Sequence, residues 1–208
     1  MSKRYDQYCP IAHALGLVGE RWSLLIVREL LQGPKRYTDL AASLPGIGTN
    51  ILAARLKDLE GANVVTKRRL EPPAASQVYE LTPYGYNLKP VMRALALWGL
   101  HSIDPPTEED NLAPGWLYGA LDTVFAPVGI PGSFEFRISG EVASLVDGEA
   151  KRGSVEDPDV VVEADVTSFY YLFVEGRWDG VTVEGDRELL ERLLEAAASS
   201  ATGTPVPV

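Results

Sequence analysis

The chain has 208 residues, 46% of them hydrophobic and 23% charged, and a formal net charge of −10. That length has room for two small domains with separate cores, and no apolar run approaches the roughly 20 residues a membrane helix needs. A single cysteine, Cys9, rules out an intramolecular disulfide, and with only His13 and His101 beside it a structural zinc site is not expected. The polar start and the lone thiol predict a cytoplasmic protein without a signal peptide.

The charge is not evenly spread. Residues 1–103 hold thirteen Lys and Arg against eight Asp and Glu, while residues 104–208 hold six against twenty-one. A positive half joined to a strongly negative one points to a polyanion-binding module carrying a second domain.

In chain order, Ile11, Leu15 and Val18 recur at helical spacing in a short first helix. A second helix is predicted over 20–31, with Trp22, Leu25, Ile26 and Leu30 on its inward stripe, stopped by Gly33-Pro34. A short helix over 38–44 ends at Pro45-Gly46. The next begins at Thr49-Asn50, buries Leu52, Leu56 and Leu59, and ends at Gly61. Strands are predicted over 64–70 and 77–81. Thr82-Pro83 opens a helix to about 103 with the stripe Leu88, Val91, Met92, Leu95 and Trp98; Pro90 either kinks it or marks its regular start. An amphipathic helix at the end of a small domain seeks a partner, here a second copy of the chain. The order of elements is that of a winged helix-turn-helix.

The acidic, proline-containing segment 104–112 reads as a linker. Beyond it, 116–125 reads as a helix, 134–138, 142–146, 160–166 and 181–184 as strands, Asp147-Gly148 as a turn, and 167–174 and 186–197 as helices. Residues 201–208 read as a flexible tail. The expected fold class is α+β, a winged helix-turn-helix domain over 1–103 followed by an α/β domain over 113–200.

A helix that enters the major groove keeps its outward face for base edges and sets cations beside phosphates. With Leu52, Leu56 and Leu59 inward, the fourth helix offers Thr49, Asn50, Ala53 and Lys57, with Arg55 at the shoulder. Asn50 suits adenine and Arg55 guanine or phosphate. Lys67, Arg68 and Arg69 at the base of the hairpin, and Lys35 and Arg36 before the helix-turn-helix, are candidate phosphate contacts; each run alone is also compatible with a solvated face. The expected partner is double-stranded DNA.

The residues Cys9-Pro10-Ile11-Ala12, Gly19-Glu20-Arg21-Trp22, Gly33-Pro34-Lys35-Arg36-Tyr37, Leu44-Pro45-Gly46-Ile47 and Leu52-Ala53-Ala54-Arg55-Leu56-Lys57-Asp58-Leu59-Glu60 resemble the HxlR family of bacterial winged-helix transcriptional regulators. The resemblance spans about 8–102. It implies a homodimer built from the first and last helices (Ile11, Leu15, Leu88, Val91, Met92, Leu95 and Trp98), bound to an inverted-repeat operator, and the expected role is that of a repressor. The family's wing carries an arginine after two prolines; here Pro72-Pro73-Ala74-Ala75-Ser76 lacks it, which puts a minor-groove contact there in doubt. Several members of the family sense oxidants or electrophiles through a cysteine before the first helix, where Cys9 stands. A helix N-terminus favours an anion and the thiolate is the reactive form; a small packing residue at an interface is the plainer reading.

In the acidic half, the segments 158–169 and 181–194, with strand, Gly185-Asp186 and amphipathic helix, resemble the sterol carrier protein-like fold. That resemblance implies an apolar cavity and a small apolar effector, with Trp116, Phe134, Phe136, Tyr170, Phe173 and Trp178 as lining candidates; aromatics at strand spacing also simply fill cores. No nucleophile–base–orienter set, phosphate loop or metal spacing occurs, so neither enzyme activity nor a cofactor is expected. The rival class is a carrier of apolar ligands or an interaction protein whose winged helix contacts another protein.

Overall fold

The computed structural model describes residues 5–71, 75–100, 102–107, 109–110 and 112–201. Residues 72–74, His101 and the expected tail from 202 lie outside the described residues. Contacts divide the chain into two compact units, Met1–Met92 and Arg93–Val208.

The first unit begins with α1 (Pro10–Val18) and α2 (Ser23–Leu31). The second helix starts three residues later than the periodicity suggests, because Trp22 takes a left-handed conformation at φ 81°. That rotation changes the inward stripe. Ile26, Val27 and Leu30 are buried, whereas Leu25, expected inside, is 38% exposed. The short α3 (Tyr37–Ser43) follows, and the Arg36 amide just before it donates to the Asp39 carboxylate. Gly46, at φ 85°, makes the turn into α4 (Thr49–Gly61), where Leu52, Leu56 and Leu59 are buried as predicted. Strands β1 (Val65–Arg69) and β2 (Gln77–Leu81) form an antiparallel wing, and Lys35 adds a third piece of backbone by bridging Tyr79. The core of this unit is Ile26, Val27, Leu30, Leu40, Leu44, Leu52, Leu56, Leu59, Val64 and Val65.

The predicted long helix after the wing is two. Thr82 caps a single turn, α5 (Pro83–Tyr86), and α6 (Lys89–Leu100) begins one residue before Pro90, the alternative in which Pro90 sits in a first turn and needs no amide partner. The division into units falls within α6. Leu88 and Met92 pack on the first core, and Leu97 and Leu100 belong to the second.

In the second unit, α7 (Trp116–Ala120) runs into a π-helical turn over Leu121–Phe125. A five-stranded sheet of order β5-β4-β3-β6-β7 follows: β3 (Ser133–Ile138), β4 (Glu141–Val146), β5 (Glu149–Arg152), β6 (Val160–Ala164) and β7 (Thr182–Gly185). Only the β3–β6 pair is parallel. The helices α8 (Val166–Glu175) and α9 (Arg187–Ala201) complete it. Phe134, Phe136, Ile138, Leu145, Val160 and Val162 face one side of the sheet and pack against Leu117, Leu121, Phe125, Phe169, Leu190 and Leu193 from the helices. The segment after α6 is fastened within this unit: the Tyr170 hydroxyl donates to the Ile103 carbonyl at 2.9 Å, and Thr167 donates to that of Pro106 at 3.3 Å.

Candidate nucleic-acid interface

Helix α4 is fixed at its start, flank and floor. Its first turn is held by the Tyr37 hydroxyl, which donates to the Thr49 carbonyl at 2.7 Å. Its floor is Leu52, Leu56 and Leu59, each at most 1% exposed. Thr49, Asn50, Ala53 and Lys57 are exposed, as expected, and so is Ala54, which is not among the residues expected there. At about 100° per residue, Asn50, Ala53, Ala54 and Lys57 share the side opposite the leucines.

The ten candidate DNA-binding residues divide sharply by what their side chains already hold. Arg36, Lys57 and Arg69 are exposed and make no ion pair with the described residues. The other four cations are engaged. Lys35 Nζ lies 2.6 Å from Oε2 of Glu29, a carboxylate only 1% exposed that also holds Arg28. A buried acid deprived of its partner is costly, so Lys35 neutralises the buried Glu29 of α2, and its side chain is only 17% exposed. Arg55 pairs with Glu20 at 3.0 Å and Asp58 at 2.6 Å. Lys67 pairs with Glu60 at 2.9 Å and sits 5.4 Å from the centre of the Tyr79 ring; the Glu60 hydrogen bond holds its pKa above the usual lysine value. Arg68 Nε donates to both carboxylate oxygens of Glu80 at 2.9 Å. Those two wing pairs remain 37% and 48% exposed on the cation side, where water screens them and a phosphate can compete.

The partners Glu20, Asp58, Glu60, Glu29 and Glu80 were missed in the sequence. Glu60 and Asp58 lie near their cations in the chain, but Glu20 is 35 residues from Arg55, and no local spacing announces that pair.

Cys9 precedes α1 as a free thiol of intermediate exposure. Of the proposed assembly residues, Ile11 (72%), Leu15 (46%), Val91 (52%), Leu95 (44%) and Trp98 (72%) are exposed apolar side chains. Leu88 and Met92 are instead turned onto the first core.

Of the aromatic residues expected to line a cavity, Phe134 and Phe136 belong to the core cluster of this unit and Phe173 packs against it, and the Tyr170 hydroxyl donates to the Ile103 carbonyl. Phe134 and Phe136 have no exposure. Phe125 lies 6.1, 6.2 and 5.1 Å from the ring centres of Phe136, Phe169 and Phe173. Trp178 is covered by the Arg187 guanidinium, and Trp116 packs against the core. A cleft of about 500 Å3 in this unit is lined by both charged and apolar residues, among them Arg137, Glu141, Val142, Glu163, Ala164 and Asp165, and none of those aromatics lines it.

A helix whose buried leucine stripe leaves a polar outer face, joined to a two-stranded wing, defines a winged helix-turn-helix DNA-binding module. The pattern of the HxlR-like helix-turn-helix family matches residues 17–107. The chain is 34% identical over 98 residues to the HTH-type transcriptional regulator YodB of Bacillus subtilis, covering 47% of this chain and 88% of that protein. To the uncharacterized regulator YvaP of the same organism it is 36% identical over 102 residues, covering 48% of this chain and 94% of that one. A solved structure of the reduced form of YodB, 32% identical, covers 49% of this chain and all of that one with a TM-score of 0.42. The protein belongs to the HxlR-like family of DNA-binding transcriptional regulators, and these matches stop at its first half.

Proposed function

We propose that the protein is a homodimeric repressor that reads an inverted-repeat operator with α4 and grips phosphates with Arg36, Lys57 and the wing cations. The observation that carries this reading is the exposed Asn50, Ala53, Ala54 and Lys57 face set over three buried leucines. Dimerisation is supported by apolar side chains left open on α1 and α6: Ile11 and Leu15, and the stripe Val91, Leu95 and Trp98. Two such faces on one chain are an unusual amount of uncovered apolar surface for a monomer. The second unit, whose sheet backed by helices supports the sterol carrier-like assignment, braces the dimer in this reading. Binding of an apolar effector would require its close-packed rings to part.

Cys9 gives this reading a redox arm. A peroxide would oxidise its thiolate to a sulfenic acid, itself reduced to water, and condensation with the second subunit's thiol would release water and form a disulfide. The free thiol beside α1 supports it. The test is selection of duplexes from a random-sequence pool with the full-length protein. It should recover an inverted repeat whose binding weakens steeply with salt and falls on peroxide treatment in the wild type but not in Cys9→Ser. Recovery of no sequence rejects the operator reading; an equal peroxide response in Cys9→Ser rejects the redox arm.

A further inference from the structure

Arg55 stands on α4, yet its guanidinium is held by two carboxylates of its own chain. Its Nη2 donates to Oε2 of Glu20 at 3.0 Å and its Nη1 to Oδ2 of Asp58 at 2.6 Å. The side chain is 19% exposed, and its Nε is buried without an acceptor. A guanidinium held by carboxylates at both ends is not free to fork onto a guanine or straddle a phosphate. Arg55 also lies about 140° round the helix axis from Asn50, on the flank rather than the outer face.

Glu20 belongs to the joint between α1 and α2, and that joint is well defined. The Ser23 amide donates to the Glu20 carbonyl at 3.0 Å. Trp22 holds its left-handed φ of 81°, with its ring among the side chains packed on the first core and the Arg21 guanidinium 5.3 Å from its centre. A bulky residue keeps such a backbone only where its surroundings fix it. One end of the Arg55 fork is therefore anchored to a fixed point outside the helix, and the other to the helix itself.

We propose that Arg55 is a positioning residue: the Glu20–Arg55–Asp58 clamp sets the rotation of α4 about its own axis relative to the α1–α2 joint, so that Asn50, Ala53 and Lys57 meet the duplex. This rests on the reading of α4 as the recognition helix. Arg55 then governs which bases are read without touching them, and it ties the helix that reads DNA to the helix that carries Cys9 and the exposed Ile11 and Leu15.

The test compares full-length wild type, Glu20→Gln and Arg55→Lys on the duplex recovered by selection and on random-sequence duplex of equal length. Both substitutions should lower the ratio of specific to random-sequence affinity by about tenfold, leaving random-sequence binding within about twofold and the salt slope unchanged. Simple loss of folded protein would weaken both duplexes equally and leave the ratio alone. An unchanged ratio, or tighter binding by Glu20→Gln, overturns the proposal, as does a salt slope lowered by about one unit in Arg55→Lys, which would make Arg55 a phosphate contact. A denaturant-unfolding cycle of the two substitutions separates this from failure of the DNA reading itself. Non-additive effects establish the clamp even if the wild type selects no duplex, and additive effects end it whatever the DNA result.

Discussion

Asn50 and Lys57 occupy one exposed side of α4 but are assigned different work. An Asn amide matches the acceptor and donor of adenine in the major groove, so Asn50→Ala should cost about 1–3 kcal/mol of discrimination at a single base pair with little effect on random-sequence binding. Lys57 has no ion pair among the described residues to break before meeting a phosphate. Lys57→Ala should therefore weaken binding to every duplex alike and reduce the log–log salt slope by about 0.9. Titrations at several salt concentrations distinguish the two, and reversed behaviour would mean that α4 is rotated from its assigned setting. At this scale the sequence reveals which residues are cationic and which side of a helix is apolar, because both follow from residue type and period. It does not reveal which cations are already paired. Lys35 and Arg36 are adjacent in the chain, yet one is spent on a buried Glu29 and the other is exposed without an ion pair among the described residues.

Among the elements, α4 and the wing were legible because a leucine stripe and a strand pair leave periodic marks. Three departures have local causes. Helix α2 starts late because Trp22 turns the backbone. The helix after the wing breaks into α5 and α6 around Asn87 and Leu88. Strand β5 was missed because three of its four residues are charged, as befits an edge strand; its entry was marked by Asp147-Gly148, both at positive φ. The α5 turn carries a sharp test. A Cβ on Gly85 would lie 2.1 Å from the Val64 carbonyl oxygen, and backbone cannot step aside as a side-chain tip does. Gly85→Ala should lose about 1–3 kcal/mol or more of stability, measured by urea unfolding. A loss within a few tenths would show that the junction of wing and α5 is looser than it is drawn.

For the molecule as a whole, the charge contrast between its halves now has a structural counterpart. The electropositive part holds the winged helix, and the unit that begins at Arg93, within α6, is a sheet-and-helix body whose core holds several aromatic rings. An excess of carboxylates there repels phosphate and leaves DNA to the first unit. The fold class of that second body is legible in its alternating strands; the packing of Phe136, Phe169 and Phe173 around Phe125 is not, since the same aromatic spacing serves a cavity wall or a solid core.

The account stands on two copies of α4 lying in successive major grooves, each presenting Asn50, Ala53 and Lys57. Hydroxyl-radical footprinting of the full-length protein on its selected duplex measures that arrangement directly. It should give two symmetric protected patches with centres about 10 base pairs, or one helical turn, apart. A single protected patch, or two whose spacing places the helices on opposite sides of the duplex, would contradict it.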